Sequence, residues 1–213
     1  PSIHHLPAPS LRLALAGVSV AKEHDSDARR TRHDFGCAMV GWCAGARKIR
    51  HALPPEWSVT IALLSEASEP PEDCAEARMH PVPARLSALS SRCQAITKDP
   101  FPLGFLKFAL VEWTMYDAVL FTDQDVDLVE HGDSSAAQLA SHFVRMLPRL
   151  LRSTIEFMGT PSDGAPVNTG VMLIRPNLTT YSSGLAVLEQ CDFTSGRGWQ
   201  LGDEGTRRPP LQD

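Results

Sequence analysis

Short runs of apolar residues recur along the chain and predict buried strands. Residues 11–20 read LRLALAGVSV, and residues 57–64 and 118–122 form similar runs. Continuous apolar runs of this length are typical of a parallel sheet that helices cover on both faces. Residues 154–158 and 169–174 predict further strands, and residues 65–83 predict a short helix and a short strand. The pattern therefore favours a sheet buried between two layers.

Helices are predicted in the segments between the strands. Residues 21–32 are expected to form a charged loop. Residues 36–51 are expected to form a helix in which Arg47, Lys48 and Arg50 complement the C-terminal dipole. Ala109, Leu110 and Trp113 recur at helical spacing, so residues 104–116 are expected to form an amphipathic helix with Lys107 in its first turn. Residues 134–151 predict another helix, bent or broken near Pro148.

The alternation of strands and helices predicts one α/β domain with a mostly parallel, doubly wound sheet. The length of 213 residues suits a single domain of this class. A net charge of −5, without a basic stripe interleaved with aromatic residues, argues against nucleic acid as a main partner. No apolar run reaches the length of a membrane span. The five cysteines lie at wide spacings without a C-x-x-C pair, so we expect mostly ordinary buried or reduced thiols rather than a zinc site or a full disulfide framework.

An acidic cluster directly follows the apolar run at 118–122. Asp123, Asp125 and Asp127 would be delivered to the carboxyl edge of the sheet, where open α/β folds bind ligands. Carboxylates gathered there without a basic partner repel one another and lose hydration, and a divalent cation relieves both effects. Asp25 and Asp27 have the same spacing, but no strand precedes them, so we interpret them as part of a solvated loop.

Three kinds of functional site could contain such an acidic cluster. A calcium loop needs glycine and glutamate where Leu128 and Ser134 stand, which excludes it. A phosphatase of the haloacid dehalogenase type would use the first aspartate as nucleophile. Val126 stands where that family has glycine, and no lysine follows Lys107, so this type is kept as a minor alternative. In the third kind, the carboxylates hold Mg²⁺ or Mn²⁺, which bridges to the diphosphate of a nucleotide sugar and stabilises the departing charge.

Four segments resemble family 8 glycosyltransferases, the glycogenin-like group with a GT-A fold. The segment FLKFALVEWTMYDAVLFTDQDVDLVE is similar to that family's lysine-bearing helix and the strand that ends in its Asp-x-Asp motif. Lys107 and Asp123 keep the family's separation between the lysine and the first motif aspartate. APVNTGVMLIRPN and GWQLGDEG resemble two later blocks, and GCAMVGWCAGARKIRHAL resembles the nucleotide-binding start. The resemblance implies a Rossmann-like fold of the nucleotide-diphospho-sugar transferase type.

The implied activity is a retaining transfer of a sugar from a UDP-sugar to a carbohydrate or protein acceptor. Mn²⁺, or Mg²⁺, is the implied cofactor, with Asp123 and Asp125 as its ligands. Asp123 would also bind the donor substrate. Lys107 would contact the phosphates or the donor sugar and take part in catalysis.

The resemblance also implies a donor-sugar pocket formed by later residues. Asn168, Thr169 and Gly170 would line this pocket, with Thr169 replacing the serine usual in the family. Asp203 would hydrogen-bond sugar hydroxyls near the reacting carbon as a catalytic residue. Glu204 would bind substrate beside it, at a position where glutamine is common.

One family feature has no counterpart in this sequence. The family's third protein ligand to the metal is a histidine in a late segment, and no histidine follows Asp203. We therefore expect residues 1–213 to be a single glycosyltransferase domain that is incomplete at its C-terminus. A truncated or inactive GT-A-like domain with a binding or scaffolding role is the alternative. The Golgi lumen and the cytoplasm both remain open as compartments.

Overall fold

The computed structural model describes residues 10–19, 28–97, 103–124, 133–160 and 168–191. These residues form one six-stranded sheet with strand order β3-β2-β1-β4-β6-β5. Its strands are β1 (Arg12–Ser19), β2 (Ser58–Ser65), β3 (Arg78–Pro81), β4 (Ala118–Thr122), β5 (Phe157–Thr160) and β6 (Asn168–Ile174). The first four strands run parallel, β6 is antiparallel to β4, and β5 is antiparallel to β6. The prediction of a mostly parallel sheet is confirmed.

Helices cover both faces of the sheet. They are α1 (Ala28–Ala52), α2 (Ala84–Thr97), α3 (Leu103–Leu106), α4 (Asp133–Arg152) and α5 (Leu178–Leu188), with 3₁₀ helices at Glu72–Cys74 and Lys107–Glu112. One apolar layer contains α1 and α4, and the other contains α2, α5 and the second 3₁₀ helix. The α/β class is thus confirmed. No described helix is long and apolar enough to cross a membrane.

Alternation along each strand divides its side chains between the two layers. In β1, Leu13 and Leu15 pack with α1 and α4, whereas Ala14 and Ala16 pack on the opposite face. All four residues are at most 3 % exposed. Because both faces of the strand are buried, its sequence is continuously apolar and not alternating.

The prediction of a helix over residues 104–116 is wrong. The chain makes a single α-helical turn in α3 and continues as the 3₁₀ helix Lys107–Glu112. Leu110 and Trp113, both buried, are three residues apart. Residues with this spacing share a face in a 3₁₀ helix as well as in an α-helix, so the apolar pattern could not separate the two.

Two further helix boundaries differ from the sequence prediction. Helix α1 begins at Ala28, within the segment expected to be a charged loop through residue 32. Helix α4 passes through Pro148 without ending there. Proline removes one backbone hydrogen bond, but Phe143, Leu147 and Leu150 on both sides of it hold the helix on the sheet. Helix α2 was not predicted.

Two disulfide bonds correct the prediction of mostly reduced thiols. Cys43 of α1 is bonded to Cys74 of the first 3₁₀ helix, and Cys93 of α2 is bonded to Cys191 after α5. The partners are 31 and 98 residues apart in the sequence. Pairings over such distances follow from how the helices pack on the sheet, which the spacing of the cysteines does not reveal.

Candidate functional site

Strand β4 ends beside the beginning of β6, and this junction holds part of the predicted site. Asp123 directly follows β4, and its backbone N–H donates a 2.8 Å hydrogen bond to the carbonyl of Gly170 in β6. Because β6 is antiparallel to β4, the first residues of β6 lie at the edge where β4 ends. The fold therefore brings Asp123 and Gly170 together, although they are far apart in the sequence.

Lys107 and Asp123 form an ion pair at this edge. The Lys107 Nζ lies 2.7 Å from Oδ2 and 2.7 Å from Oδ1 of Asp123. The side chains are 19 % and 30 % exposed, so the pair is neither buried nor freely solvated. The same ammonium lies 5.1 Å from the ring centre of Phe121, within the range of a cation–π contact. Lys107 is thus held by a carboxylate and an aromatic face.

The ion pair corrects one premise of the sequence argument. The sequence places no basic residue next to the acidic cluster, but in the structure Asp123 has a basic partner in Lys107. Lys107 is the first residue of the 3₁₀ helix that precedes β4, and the chain reverses direction between this helix and the strand, so Lys107 lies beside the end of β4. One carboxylate of the cluster is therefore neutralised by the chain itself.

Gln124 connects the end of β4 to the end of β1. Its Nε2 donates a hydrogen bond to the carbonyl of Val18, and its Oε1 is buried without a hydrogen-bond partner among the described residues. The amide orientation follows from the contact, because a flipped amide would bring two acceptors together. Nothing in the sequence marks Gln124, since no local pattern signals a contact across 106 residues.

On the opposite face of the sheet, Trp42 contacts the last residue of β4. Its indole Nε1 donates a 2.7 Å hydrogen bond to the Oγ1 of Thr122, and both side chains are buried. The sequence does not predict this contact either. Both residues fit the general pattern of buried positions, and nothing in the sequence marks them as a pair.

The remaining predicted residues are placed only in part. Asn168 and Thr169 are the first residues of β6, next to Gly170, but their side chains lie outside the described part of the structure. Asp125, Asp203 and Glu204 lie outside the described residues altogether. Their roles in binding and catalysis stay predictions.

The described residues supply only part of a metal site. They contain no group of three or more His, Cys, Asp or Glu side chains placed to hold a metal ion. Asp123 offers two carboxylate oxygens, the donor type that Mn²⁺ and Mg²⁺ prefer. A complete donor set would need residues such as Asp125, which the structure does not describe.

Comparison with solved structures gives distant neighbours. The chain is similar to the galactosyltransferase LgtC in complex with donor and acceptor sugar analogues, at 14 % sequence identity and a TM-score of 0.38. It is also similar to an active-site mutant of LgtC, at 15 % identity and a TM-score of 0.38. The alignments cover 83 % and 91 % of this chain, and 65 % and 68 % of those proteins. No protein-family model and no curated protein sequence matches the chain.

Proposed function

We propose that the chain is a metal-dependent glycosyltransferase domain of the family 8, GT-A type, which transfers a sugar from a UDP-sugar with retention of configuration. The observation that carries this proposal is the meeting of Lys107 and Asp123 beside Gly170 at the carboxyl edge of the sheet. These residues belong to two separate segments that resemble the family. Ligands bind at this edge in open α/β sheets.

In this proposal Asp123 and Asp125 hold the cation, Mn²⁺ or Mg²⁺. The ion would supply positive charge at the diphosphate when the bond to the sugar breaks. Lys107 would contribute further positive charge there. Its ammonium has three donors on a flexible stem, so it can keep one hydrogen bond to Asp123 and direct another to a phosphate oxygen.

The donor sugar would lie along the beginning of β6. The side chains of Asn168 and Thr169 and the backbone of Gly170 are assigned to this pocket. Asp203 would orient sugar hydroxyls near the reacting carbon, with Glu204 as a neighbouring contact. Carbohydrate or protein hydroxyls are the acceptor class.

Calorimetry with matched aspartate variants tests the proposal. Asp123→Asn and Asp125→Ala should remove Mn²⁺-dependent binding of UDP. Asp117→Asn is the control, because Asp117 precedes β4 at its other end and pairs with Arg12. Nucleotide affinity that is the same with Mn²⁺ and with a chelator would reject the metal-dependent assignment. Mn²⁺-dependent hydrolysis across a panel of UDP-sugars would then identify the donor.

A non-catalytic GT-A-like domain is the second candidate. The observation that favours it is the ion pair itself, since Lys107 already neutralises Asp123 without a metal. This candidate predicts that UDP binds weakly or not at all and that no UDP-sugar is hydrolysed with Mn²⁺. Turnover of any UDP-sugar that is lost in Asp123→Asn would exclude it.

A further inference from the structure

A buried tryptophan joins helix α1 to the end of strand β4. Trp42 is 2 % exposed and Thr122 is 3 % exposed, and the indole N–H donates to the threonine hydroxyl at 2.7 Å. Valine has the shape of threonine, so packing alone does not require a hydroxyl at this position. Replacing both partners of a buried hydrogen bond by apolar groups of similar shape costs little stability. The pair therefore contributes direction more than stability.

The indole ring is fixed by a close approach to β1. A Cβ atom at Gly17 would lie 3.0 Å from Cε2 and 3.0 Å from Cζ2 of Trp42, which is tighter than ordinary contacts between carbon atoms. Strand β1 pairs with β4, so the ring lies across two neighbouring strands. Helix α1, β1 and Thr122 together leave the indole little freedom.

Thr122 and Asp123 point to opposite faces of the sheet. Successive side chains alternate along extended backbone, and the contacts follow this rule: Thr122 meets Trp42 on the α1 face, and Asp123 meets Lys107 on the other. A rotation of the strand end about its own axis would move both side chains. The Trp42 hydrogen bond opposes that rotation from one face, and the bond from the Asp123 N–H to Gly170 opposes it within the sheet.

We propose that Trp42 is a positioning residue, which fixes the direction of the Asp123 carboxylate through Thr122. The inference rests on the proposed function, in which this carboxylate holds a cation. Residues that orient a metal ligand typically account for about 10- to 100-fold in metal affinity. Trp42 would act in the same way at one remove, because its hydrogen bond goes to Thr122, the residue before Asp123, on the opposite face of the sheet.

Three variants separate positioning from packing. The double variant Trp42→Phe/Thr122→Val removes both partners and leaves neither polar atom of the pair unpaired, and its thermal unfolding reports the packing lost when phenyl replaces indole. Thr122→Ser keeps the hydroxyl. Tyr116→Phe is the control. It also removes a buried hydroxyl, which is hydrogen-bonded to His80, but Tyr116 precedes the beginning of β4 and is therefore distant from Asp123. Each variant is measured for thermal unfolding, for UDP affinity with Mn²⁺, and for hydrogen exchange of the Asp123 amide.

The double variant is expected to lose about 10- to 100-fold in Mn²⁺-dependent UDP affinity and to exchange the Asp123 amide faster. Thr122→Ser should lose much less affinity than the double variant, because the hydroxyl that Trp42 needs as partner is still present. Tyr116→Phe should lower the melting temperature without changing either property. Unchanged affinity and exchange in the double variant would overturn the inference. If the wild type binds no UDP with Mn²⁺, the proposed function fails, and the exchange rate of the Asp123 amide alone decides the role of Trp42.

Discussion

At Asp123, the proposed cation would compete with Lys107 for one carboxylate. The Lys107 ammonium lies 2.7 Å from both oxygens, so a cation that binds them must displace the lysine from at least one. A partly exposed ion pair stabilises the fold only slightly, because water screens it and both side chains lose freedom. The pair is therefore weak enough to open when a stronger ligand arrives.

Lys107→Met should raise the affinity of the protein for Mn²⁺ alone by about two- to fivefold. This range corresponds to the loss of a competing pair worth roughly 0.5–1 kcal/mol. Affinity for UDP in the presence of Mn²⁺ should fall, because the phosphates would lose the proposed contact with Lys107. Titration followed by the Mn²⁺ electron paramagnetic resonance signal measures both effects. Lys107→Arg keeps the charge and should resemble the wild type, and weaker binding of Mn²⁺ alone by Lys107→Met would contradict the competition.

His80 makes the stability of the fold sensitive to acid. Its ring is buried in contact with Trp113, with ring centres 4.2 Å apart, and its Nε2 lies 3.0 Å from the Tyr116 hydroxyl. Burial, and then the charge of Arg78, lower the pKa of His80 below its usual value. As the pH falls below about 6.5, His80 becomes protonated in the unfolded chain but stays neutral in the folded chain. The stability from His80 is thus complete above that pH and is lost as the pH falls towards the folded-state pKa.

His80→Gln should flatten this dependence. Denaturant unfolding between pH 7.5 and 5.5 should show the wild type losing up to about 1.4 kcal/mol per pH unit more than the variant. Glutamine keeps a polar partner for Tyr116, so the two proteins differ chiefly in the titrating group. Parallel curves for the two proteins would show that His80 is not the source.

At the scale of elements, α5 holds the 3₁₀ helix that carries Lys107. The Phe108 ring stacks on Tyr181 of α5, with ring centres 5.4 Å apart. The same ring also covers Gly184, which lies one turn further along α5. A Cβ atom at Gly184 would overlap the tip of this ring. The absence of a side chain at Gly184 therefore decides how closely the lysine-bearing segment lies on the fold.

Gly184→Ala should destabilise the protein by about 1–2 kcal/mol. Overpacking against Phe108 costs up to about 3 kcal/mol, and the higher helix propensity of alanine recovers about 1 kcal/mol. Gly41→Ala in α1 is the control, because a Cβ there meets nothing within 4 Å. That variant should gain about 0.5–1 kcal/mol. Thermal and denaturant unfolding measure both changes, and equal effects of the two substitutions would refute the packing argument.

At the scale of the whole molecule, one disulfide bond lies in each helical layer. Cys43 and Cys74 belong to the layer of α1 and α4, and Cys93 and Cys191 belong to the opposite layer. Each bond ties a helix to a segment distant in the sequence. Disulfide bonds form and persist in oxidising compartments and are rare in the cytoplasm. Of the two compartments that the sequence leaves open, these bonds therefore favour the Golgi lumen.

Removal of either disulfide bond should lower the free energy of unfolding. In the chain-entropy account, loops of 31 and 98 residues correspond to about 3.7 and 4.7 kcal/mol. Two double variants test this: Cys43→Ala/Cys74→Ala and Cys93→Ala/Cys191→Ala. Both should unfold at lower denaturant concentrations than the wild type. The variant without the Cys93–Cys191 bond should have the lower midpoint of the two, because that bond closes the longer loop. Addition of a reducing agent should lower the unfolding midpoint of the wild type below the midpoints of both variants, because it breaks both bonds. A wild type insensitive to reductant would show that the bonds do not stabilise the fold.

The sequence by itself determined the class of the fold and the position of Asp123 at the end of a buried strand. Continuous apolar runs arise because strands buried on both faces admit few polar residues, and this pattern also located β1, β2 and β4 to within a residue or two at each end. It placed Asp123 at a strand end for the same reason. The sequence could not distinguish a 3₁₀ helix from an α-helix at Lys107, because both have buried residues three apart.

Only the tertiary structure decided which side chains meet. The cysteine pairs, the Lys107–Asp123 ion pair and the contact between Trp42 and Thr122 each join separate elements. Such contacts depend on strand order, on register and on which face a helix packs against. Local propensity and hydrophobic period do not encode those properties, so the charge balance of the candidate site emerged only once the sheet was assembled.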